Sequence, residues 1–204
     1  MSPKSTKTEE TLKVSHAYLC DARFWQFLYE LDCDLAAQAR AGGCVHCAGV
    51  VHSARYPRKP WGVARELLGE AYWYRESLCC SAEGCRRRCT PASVRFLGRR
   101  MYLGVLVVLV TALSQGLASG GRRRVAERFG VSERTLRRWQ RWWREVFAVT
   151  ALWASARGWF VPPVAVDELP QGLLSRFGEL HKRESMVAMM RFLRPVSIGS
   201  LRVR

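Results

Sequence analysis

Apolar residues recur at steps of three and four near the start of the chain, and this period predicts an amphipathic helix. The recurring residues are Phe24, Phe27, Leu28, Leu31 and Leu35. We place the helix within residues 15–43, with Asp21 as its N-cap and Gly42-Gly43 as its stop. Its apolar stripe is expected to pack against the rest of the protein, and the polar residues 1–14 are expected to form a flexible tail.

The pattern changes after this helix, where short segments rich in β-branched and aromatic residues predict strands. These segments are "VVHSARY" and "AYWYRESL", separated by "PRKPWG". Residues 44–98 are therefore predicted to form a small β domain, whereas residues 99–149 return to a helical pattern with a glycine-rich break at "ASGG". Residues 150–204 are predicted to be a C-terminal helical region. Its expected helices lie in "TALWASARGW", from Asp167 to about Phe177, and before Pro195.

Eight cysteines in 204 residues indicate either disulfide bonds or metal binding. The stretch "MSPKSTKTEETLK" lacks the apolar core of a secretion signal, so we expect a cytoplasmic protein whose thiols stay reduced. A structural zinc site takes four ligands, commonly thiolates, from two tight turns. The two turns offered here are "CVHC" and "CCSAEGCRRRC". From them we predict a structural Zn²⁺ bound by Cys44, Cys47, Cys80 and Cys85.

The second cysteine turn leaves alternatives open. Gly84 is expected to permit a tight turn at Cys85, and Cys79 would face away from the metal if the strand before it continues. Cys79 or Cys89 could still replace a predicted ligand. The two cysteine pairs are separated by 32 residues, more than the roughly 15–20 of compact zinc patterns, so an inserted loop is required. The alternative to a metal site is a set of buried, reduced cysteines.

Residues 121–145, "GRRRVAERFGVSERTLRRWQRWWRE", have the apolar spacing of two short helices. A helix-turn-helix needs a small residue where its helices cross, a turn residue that tolerates positive φ, and an N-cap for the second helix. Ala126, Gly130 and Ser132 stand at those places. The predicted shared core consists of Val125, Phe129, Val131, Leu136 and Trp139. A helix-turn-helix domain is therefore predicted within residues 99–149.

The chain carries 33 Lys and Arg against 17 Asp and Glu, a net charge of +16, which favours a polyanionic partner. Arginine can bind guanine in the major groove of DNA and phosphate along its walls. From the outer face of the second helix we expect major-groove contacts by Arg134, Thr135, Arg137, Arg138 and Arg141. From the first helix we expect phosphate contacts by Arg122, Arg123, Arg124 and Arg128. A second basic run, with DNA or RNA as its ligand, is expected to project Arg86, Arg87, Arg88 and Arg95.

Catalytic and membrane signatures are missing from the sequence. No Gly-rich phosphate loop, G-x-S-x-G or H-E-x-x-H occurs, so we expect a protein that is not an enzyme. The aspartates are interpreted mostly as caps or surface residues, at Asp21, Asp32, Asp34 and Asp167. The apolar run 101–113 has 13 residues; because a spanning helix needs roughly 20, we predict a core helix and no membrane partner, with a membrane anchor as the alternative. No heptad repeat indicates an oligomeric state.

The order of these motifs resembles a known family. "CVHC", then "CCSAEGCRRRCTPASVRFLGRR", then "VAERFGVSERTLRRWQRWW" is similar to the zinc-ribbon and helix-turn-helix proteins of bacterial mobile elements, including the DNA-recognition halves of insertion-sequence transposases. The resemblance covers about residues 44–145. Its most specific part is a cysteine knuckle that runs into Arg86, Arg87, Arg88, Thr90 and Pro91. The chain departs from the family in having Cys89 inside the arginine run and no catalytic domain.

The patterns and the resemblance together predict a mainly α fold with a small β zinc ribbon and a helix-turn-helix domain. The resemblance implies a bacterial, cytoplasmic, nucleoid-associated protein that binds double-stranded DNA at element ends or at an operator. A transposase or recombinase is a candidate protein partner. The expected function is that of a transposable-element-associated recognition or regulatory factor. The alternatives are a non-catalytic subunit or truncated fragment of a transposase, or a transcriptional regulator.

Overall fold

The computed structural model describes residues 19–58, 65–97, 102–179 and 182–198. Within these ranges the protein is mainly helical and contains two small antiparallel sheets, which confirms the predicted combination of helices with a small β part. The predicted tail at residues 1–14 lies outside the described residues, as do residues 15–18 of the first predicted helical region.

Helix α1 spans Ala22–Ala41. The Asp21 carboxylate accepts a hydrogen bond of 2.9 Å from the Arg23 amide, so Asp21 is the N-cap, and the helix ends at Gly42. Its buried side chains are Phe24, Trp25, Leu28 and Asp32. The predicted apolar positions 27, 31 and 35 are only half-buried against the same core, because the face that turns inward is centred on Trp25 and Leu28.

The two small sheets follow α1. Their strands in chain order are β1 Val51–Ser53, β2 Tyr56–Pro57, β3 Tyr74–Arg75, β4 Leu78–Cys80 and β5 Arg88–Cys89. One sheet has the order β1–β4–β5, and the other pairs β2 with β3. Val51, the first residue of β1, lies opposite Cys80, the last residue of β4. Antiparallel pairing therefore brings the turn before β1 and the turn after β4 to the same end of the sheet.

The segment "AYWYRESL" is not the continuous strand that the sequence predicts. Glu70–Trp73 forms a 3₁₀ turn before β3. The turn directs Tyr72 inward, where its hydroxyl donates a hydrogen bond of 2.6 Å to the Trp25 carbonyl and the two rings meet edge to face. Packing of Tyr72 against α1 overrides the β propensity of the segment, as tertiary contacts often do.

Helix α2, Gly104–Ser114, lies at the centre of the helical part, and every one of its residues is buried. A helix that is apolar on all sides belongs to a core or to a membrane. Helix α2 has 11 residues, against the roughly 20 of a bilayer span, and across the described ranges no helix has the length and hydropathy to cross a membrane. Gly104 lies so close to Met190 that a Cβ there would clash with the Met190 methyl group.

The other helices surround α2. They are α3 Ser119–Arg128, α4 Glu133–Glu145, α5 Ala151–Ala156, α6 Gln171–Leu174 and α7 Arg183–Leu193. Short 3₁₀ turns occur at Arg65–Leu67, Phe147–Val149, Arg157–Trp159, Val166–Glu168 and Arg194–Ile198. Helices α3, α4, α6 and α7 all contact α2, so the apolar helix is covered on several sides.

The C-terminal region is less regular than predicted. The helix expected from Asp167 to Phe177 is divided into the turn Val166–Glu168 and the one-turn helix α6. Pro170 precedes α6 and has no amide hydrogen, so a helix that began at Val166 could not form its next backbone hydrogen bond. The segment "TALWASARGW" likewise ends as an α-helix at Ala156 and continues as a 3₁₀ turn.

A buried ionic network of Asp32, Arg75 and Arg95 joins α1 to the β part. Asp32 is 2% exposed and accepts hydrogen bonds from Arg95 Nε at 2.7 Å, from the Val94 amide at 2.7 Å and from the Ser93 hydroxyl at 2.5 Å. Arg75 Nη1 lies 3.8 Å from the same carboxylate. One carboxylate thus connects a helix, strand β3 and the segment that follows the second cysteine turn.

This network overturns two expectations from the sequence. Arg95, expected to project towards nucleic acid, is 1% exposed, and Asp32, expected to be a cap or surface residue, is its buried partner. A charge is stable in an interior only with a counter-charge and hydrogen bonds. The Arg95 guanidinium carbon also lies 4.7 Å from the centroid of the Tyr72 ring, which adds a cation–π contact.

Candidate metal centre and arginine surface

The structure brings the four predicted cysteines together. The sulfurs of Cys44, Cys47, Cys80 and Cys85 all lie within 4.8 Å of one another, and together they form a possible metal-binding site. Cys44 Sγ is 3.7 Å from Cys85 Sγ, and Cys47 Sγ is 3.4 Å from Cys80 Sγ. Four thiolates arranged tetrahedrally at about 2.3 Å from a zinc ion would lie about 3.8 Å apart, so the sulfur spacing fits such an ion.

Two similar turns hold these sulfurs. In each turn the residue after the second cysteine has a left-handed backbone, with φ of 57° at Ala48 and 46° at Arg86. Gly84, expected to permit the tight turn at Cys85, shows no need for glycine: its φ is not positive, and a Cβ there would meet nothing within 4 Å. Gly43 is the glycine that the first turn favours, because its φ is 72° and a Cβ there would lie 3.0 Å from the Ala48 carbonyl oxygen. Gly49 is also tightly packed, since a Cβ there would lie 3.3 Å from Cys47 Sγ.

Backbone amides surround the cluster and stabilise negative charge on it. The amides of His46 and Cys47 donate to the Cys44 sulfur, and the other three sulfurs each accept from one amide, of Gly49, Ala82 or Arg87. The pKa of Cys44 is lowered to about 7, first by the His46 amide. In the other three thiols the amide hydrogen bond also acts to lower the pKa. Burial and hydrogen bonds with neighbouring cysteines act in the opposite direction and outweigh it, so the net pKa of each of these thiols is raised. The cluster therefore loses its first proton easily and the rest at higher pH.

The rival cysteines lie outside the cluster. Cys79 is opposite His52 in the β1–β4 register, and its sulfur lies 3.8 Å from the Arg86 carbonyl, so it points to the other face of β4, as predicted. Cys89 is half-buried beside the cluster, and its burial raises the pKa of its thiol. The His46 ring is exposed, with Nδ1 3.2 Å from Arg87 Nη1.

Helices α3 and α4 meet at a short connection. Gly130 has a φ of 61°, a left-handed conformation that glycine adopts without steric strain. The Ser132 hydroxyl accepts a hydrogen bond of 3.2 Å from the Thr135 amide and so caps α4, and Ala126 is buried at 1% exposure. The apolar residues placed in the shared core are all buried, namely Val125, Phe129, Val131, Leu136 and Trp139.

The polar side of this helix pair is covered by arginines, which we call the arginine surface. All eight arginines predicted to contact DNA from these helices are exposed, namely Arg122, Arg123, Arg124, Arg128, Arg134, Arg137, Arg138 and Arg141. Thr135 is half-buried, and its hydroxyl lies 3.0 Å from that of Ser132, so part of its hydrogen-bonding capacity is already used.

Three carboxylates neutralise part of the arginine surface through i,i+4 pairs. The pairs are Arg123–Glu127 at 2.8 Å, Arg137–Glu133 at 3.0 Å and Arg141–Glu145 at 3.8 Å. Exposed pairs of this kind contribute only about 0.3–0.5 kcal/mol, so phosphates can replace the carboxylates at little cost. Arg124, Arg128, Arg134 and Arg138 have no ion pair with any residue in the described ranges.

The second basic run is divided by the structure. Arg86, Arg87 and Arg88 are exposed and follow directly after Cys85, whereas Arg95 belongs to the buried ionic network. The Arg87 amide donates to Cys85 and its guanidinium contacts His46, so Arg87 is positioned by the two cysteine turns.

Comparison with known proteins gives no match: no protein-family model, no curated protein and no solved structure is significantly similar to the chain. The sulfur cluster and the arginine surface are therefore the features that bear on function.

Proposed function

We propose that the protein binds double-stranded DNA, with α3 and α4 as a helix-turn-helix and the sulfur cluster as the structural zinc site of a small β ribbon. The observation that carries this proposal is the arginine surface: eight exposed arginines lie on two helices whose apolar residues are buried, except for the half-buried Trp142. A solvated helix pair gains no stability from so much like charge, because arginines near one another repel. Polyphosphate chains are the ligands that such a surface fits.

Zinc is the metal that the sulfur cluster fits best. Thiolates are soft ligands that select zinc among the common divalent ions, and a set of four sulfurs is typical of structural zinc. The four cysteine sulfurs would fill all four positions around a zinc ion, whereas a catalytic zinc keeps one position open for water or substrate. The zinc in this proposal orders the two turns and the basic run that follows Cys85.

In the proposed complex, α4 lies in the major groove. Arginine can donate two parallel hydrogen bonds to O6 and N7 of guanine, and the groove-facing residues are Arg134, Arg137, Arg138 and Arg141, with Thr135 beside them. Contacts to the DNA backbone come from α3, through Arg122, Arg123 and Arg124 near its middle and Arg128 at its end. The exposed arginines 86–88 supply a second set of backbone contacts from the ribbon.

The biological role in this proposal follows the family resemblance: a recognition or regulatory factor of a bacterial transposable element, in the nucleoid, acting with a transposase or recombinase. The alternatives are a non-catalytic subunit or fragment of a transposase and a transcriptional regulator. The position of the DNA site distinguishes them. A site at the ends of an element supports the recognition factor or the subunit, and a site over a promoter supports the regulator.

Selection of bound sequences from a random duplex library tests the proposal. We expect the zinc-loaded protein to recover a defined motif, with log affinity falling against log salt by about 0.9 for each phosphate contacted. A steep salt dependence without a motif would mean that the arginines contact only the backbone, and an absence of binding would overturn the proposal.

A further inference from the structure

A small polar pocket lies where the end of α2 meets the start of α3 and the last turns of α4. It has a volume of about 160 Å³, and its lining includes Ser114, Gln115, Arg122, Gln140 and Arg144. Pockets for whole small molecules or nucleotides start at roughly 300 Å³. A site of this size fits one chemical group rather than a complete metabolite.

The charge of the pocket is positive. Arg122 and Arg144 come from different helices and converge on it, and no Asp or Glu is among the described residues that line it. Arg122 Nη1 donates a hydrogen bond of 2.6 Å to the Leu117 carbonyl, which holds its guanidinium in place. Arg144 has no ion pair or hydrogen bond from its guanidinium within the described ranges.

The base of the pocket is polar and fixed. Ser114 is 1% exposed, its hydroxyl donates to the Thr111 carbonyl at 2.9 Å, and it accepts a hydrogen bond of 3.2 Å from Gln140 Nε2. An amide nitrogen carries two hydrogens, so Gln140 keeps a second donor for a ligand. Gln115 is held from the other side, where its Nε2 donates to the Asp167 carbonyl and its Oε1 accepts from the Gln171 amide.

The pocket also lies at the edge of the arginine surface. Gln140 and Arg144 follow Arg137 at three and seven residues along α4, and residues at this spacing share one face of a helix. An anion in the pocket would therefore be in line with the arginines that we propose to enter the major groove.

We infer that this pocket binds one phosphate group of the DNA backbone, between the guanidinium groups of Arg122 and Arg144 and the amide of Gln140. Guanidinium groups bind phosphate oxygens through paired, charge-assisted hydrogen bonds. The inference rests on the proposed DNA-binding function and adds to it the residues that fix the register of α4 along the groove. Free inorganic phosphate has the same chemistry, so the experiment must separate the two sources.

The experiment measures binding of the full-length protein to duplexes in which single backbone phosphates are replaced, one at a time, by neutral methylphosphonates. When the phosphate that occupies the pocket is replaced, we expect the affinity of wild type to fall about tenfold. The same replacement should not change the affinity of Arg144→Gln or of Arg122→Gln, because these variants have already lost the contact. Arg144→Gln should also reduce the salt slope by about 0.9. Arg138→Gln, on the arginine surface but outside the pocket, should keep the dependence, and Arg157→Gln should match wild type throughout.

A second measurement follows the guanidinium Nε–H signals of Arg122 and Arg144 by NMR, with inorganic phosphate exchanged for chloride at constant ionic strength. If wild type binds DNA but no linkage depends on Arg144, the pocket inference is wrong and the proposed function stands. If wild type does not bind DNA, the proposed function fails. In that case, phosphate-induced shifts would assign the pocket to free phosphate and overturn its assignment to DNA, and unchanged signals would exclude a phosphate site altogether. Thermal unfolding of each variant checks that it is folded.

Discussion

Around α2 the protein buries a continuous apolar core, to which α1, α3, α4, α6 and α7 all contribute. Within the described ranges, a second and much smaller core lies around the sulfur cluster. Its buried residues are Val51 and Leu78, from strands β1 and β4, and the proposed ligands Cys44 and Cys80. A core of that size cannot offset the conformational entropy of ordering its own turns. Apolar burial therefore holds one part of the molecule together, whereas the other part needs a further source of stability, which the proposed zinc ion would supply.

Removal of the metal should have the largest effect, because structural zinc contributes about 10–16 kcal/mol of binding free energy in small zinc domains. We expect Cys47→Ser to lose zinc and to abolish hydrogen-exchange protection in β1 and β4, while amides of α2 stay protected. The matched control is Cys79→Ser, which alters the half-buried cysteine next to Cys80 that lies outside the cluster. One zinc ion per chain in Cys47→Ser would exclude the proposed ligand set, and loss of protection in α2 would remove the distinction between the two parts.

The pH dependence of zinc affinity should show how the cluster releases its protons. The pKa of Cys44 is lowered from 9.0 to about 7, so its thiolate stabilises the folded turn fully above pH 9.0 and this contribution is lost as the pH falls through about 7. The other three thiols have pKa values raised above 9.0. Zinc must displace the remaining protons from its ligands. Three thiols are protonated above pH 7 and all four below it, so the logarithm of the zinc affinity should rise by about three log units per pH unit above pH 7 and by about four below it.

Competition with a chromophoric chelator between pH 6 and 8.5 measures this slope. A slope near two across the whole range would mean that only two of the four cysteines bind the metal. Cys79→Ser again serves as the control, since its pH profile should superimpose on that of wild type.

Substitution in the buried ionic network should destabilise the helical part instead. Asp32→Asn leaves the Arg75 and Arg95 guanidinium groups buried without a counter-charge, and breaking a buried pair in this way typically costs about 3–5 kcal/mol. Urea unfolding followed by tryptophan fluorescence should show a lower midpoint with an unchanged slope. Asp34→Asn, an exposed position on the same helix, should change the free energy of unfolding by less than about 0.5 kcal/mol. Equal effects at the two positions would mean that the network does not stabilise the fold.

Substitution in the arginine surface should change DNA binding and leave stability almost unchanged. The double variant Arg137→Ala, Arg138→Ala removes two exposed side chains, and each guanine contact contributes about 1–3 kcal/mol of discrimination. We expect binding to the selected motif to weaken much more than binding to random duplex of equal length, as measured by fluorescence anisotropy. The control Arg157→Ala removes an exposed arginine outside the surface. Equal losses on both duplexes would reassign Arg137 and Arg138 to backbone contacts.

The sequence predicted those parts of the molecule that local spacing determines. The cap at Asp21, the positive φ at Gly130, the cap at Ser132 and the four clustered cysteines each depend on residues a few positions apart, or on two short turns that one antiparallel pair brings together. The pattern around Cys44–Cys47 and Cys80–Cys85 was sufficient to predict that these four sulfurs lie together, because each pair is held by one short turn.

The sequence did not predict what distant contacts decide. Asp32 and Arg95 are 63 residues apart, and nothing in the run 86–95 distinguishes the buried arginine from its exposed neighbours. The pocket was missed for the same reason, since Arg122 and Arg144 converge only when α2, α3 and α4 are packed. The available signal for Arg144 was its position seven residues after Arg137, on the same face of α4.

The smallest predicted effect concerns Glu133, whose substitution should lower stability and raise DNA affinity at the same time. Glu133 lies in the first turn of α4 and pairs with Arg137 at 3.0 Å, so Glu133→Gln should lower the free energy of unfolding by about 0.3–1 kcal/mol through the lost pair and the lost interaction with the helix dipole. The same change removes a negative charge from the arginine surface. At a separation of about 4 Å in water, a charge pair is worth about 1 kcal/mol, so affinity for DNA should rise about fivefold.

Glu184 provides the matched control for this variant. It is an exposed acidic residue in the first turn of α7, outside the arginine surface, so Glu184→Gln should lower stability to a similar extent without any gain in DNA affinity. Urea unfolding and fluorescence anisotropy at fixed salt measure both quantities on the same preparations. If Glu133→Gln weakens DNA binding, Glu133 contributes to recognition itself, and the arginine surface must be redefined to include it. If both variants bind DNA as wild type does, α4 does not approach the DNA closely enough for its first turn to matter.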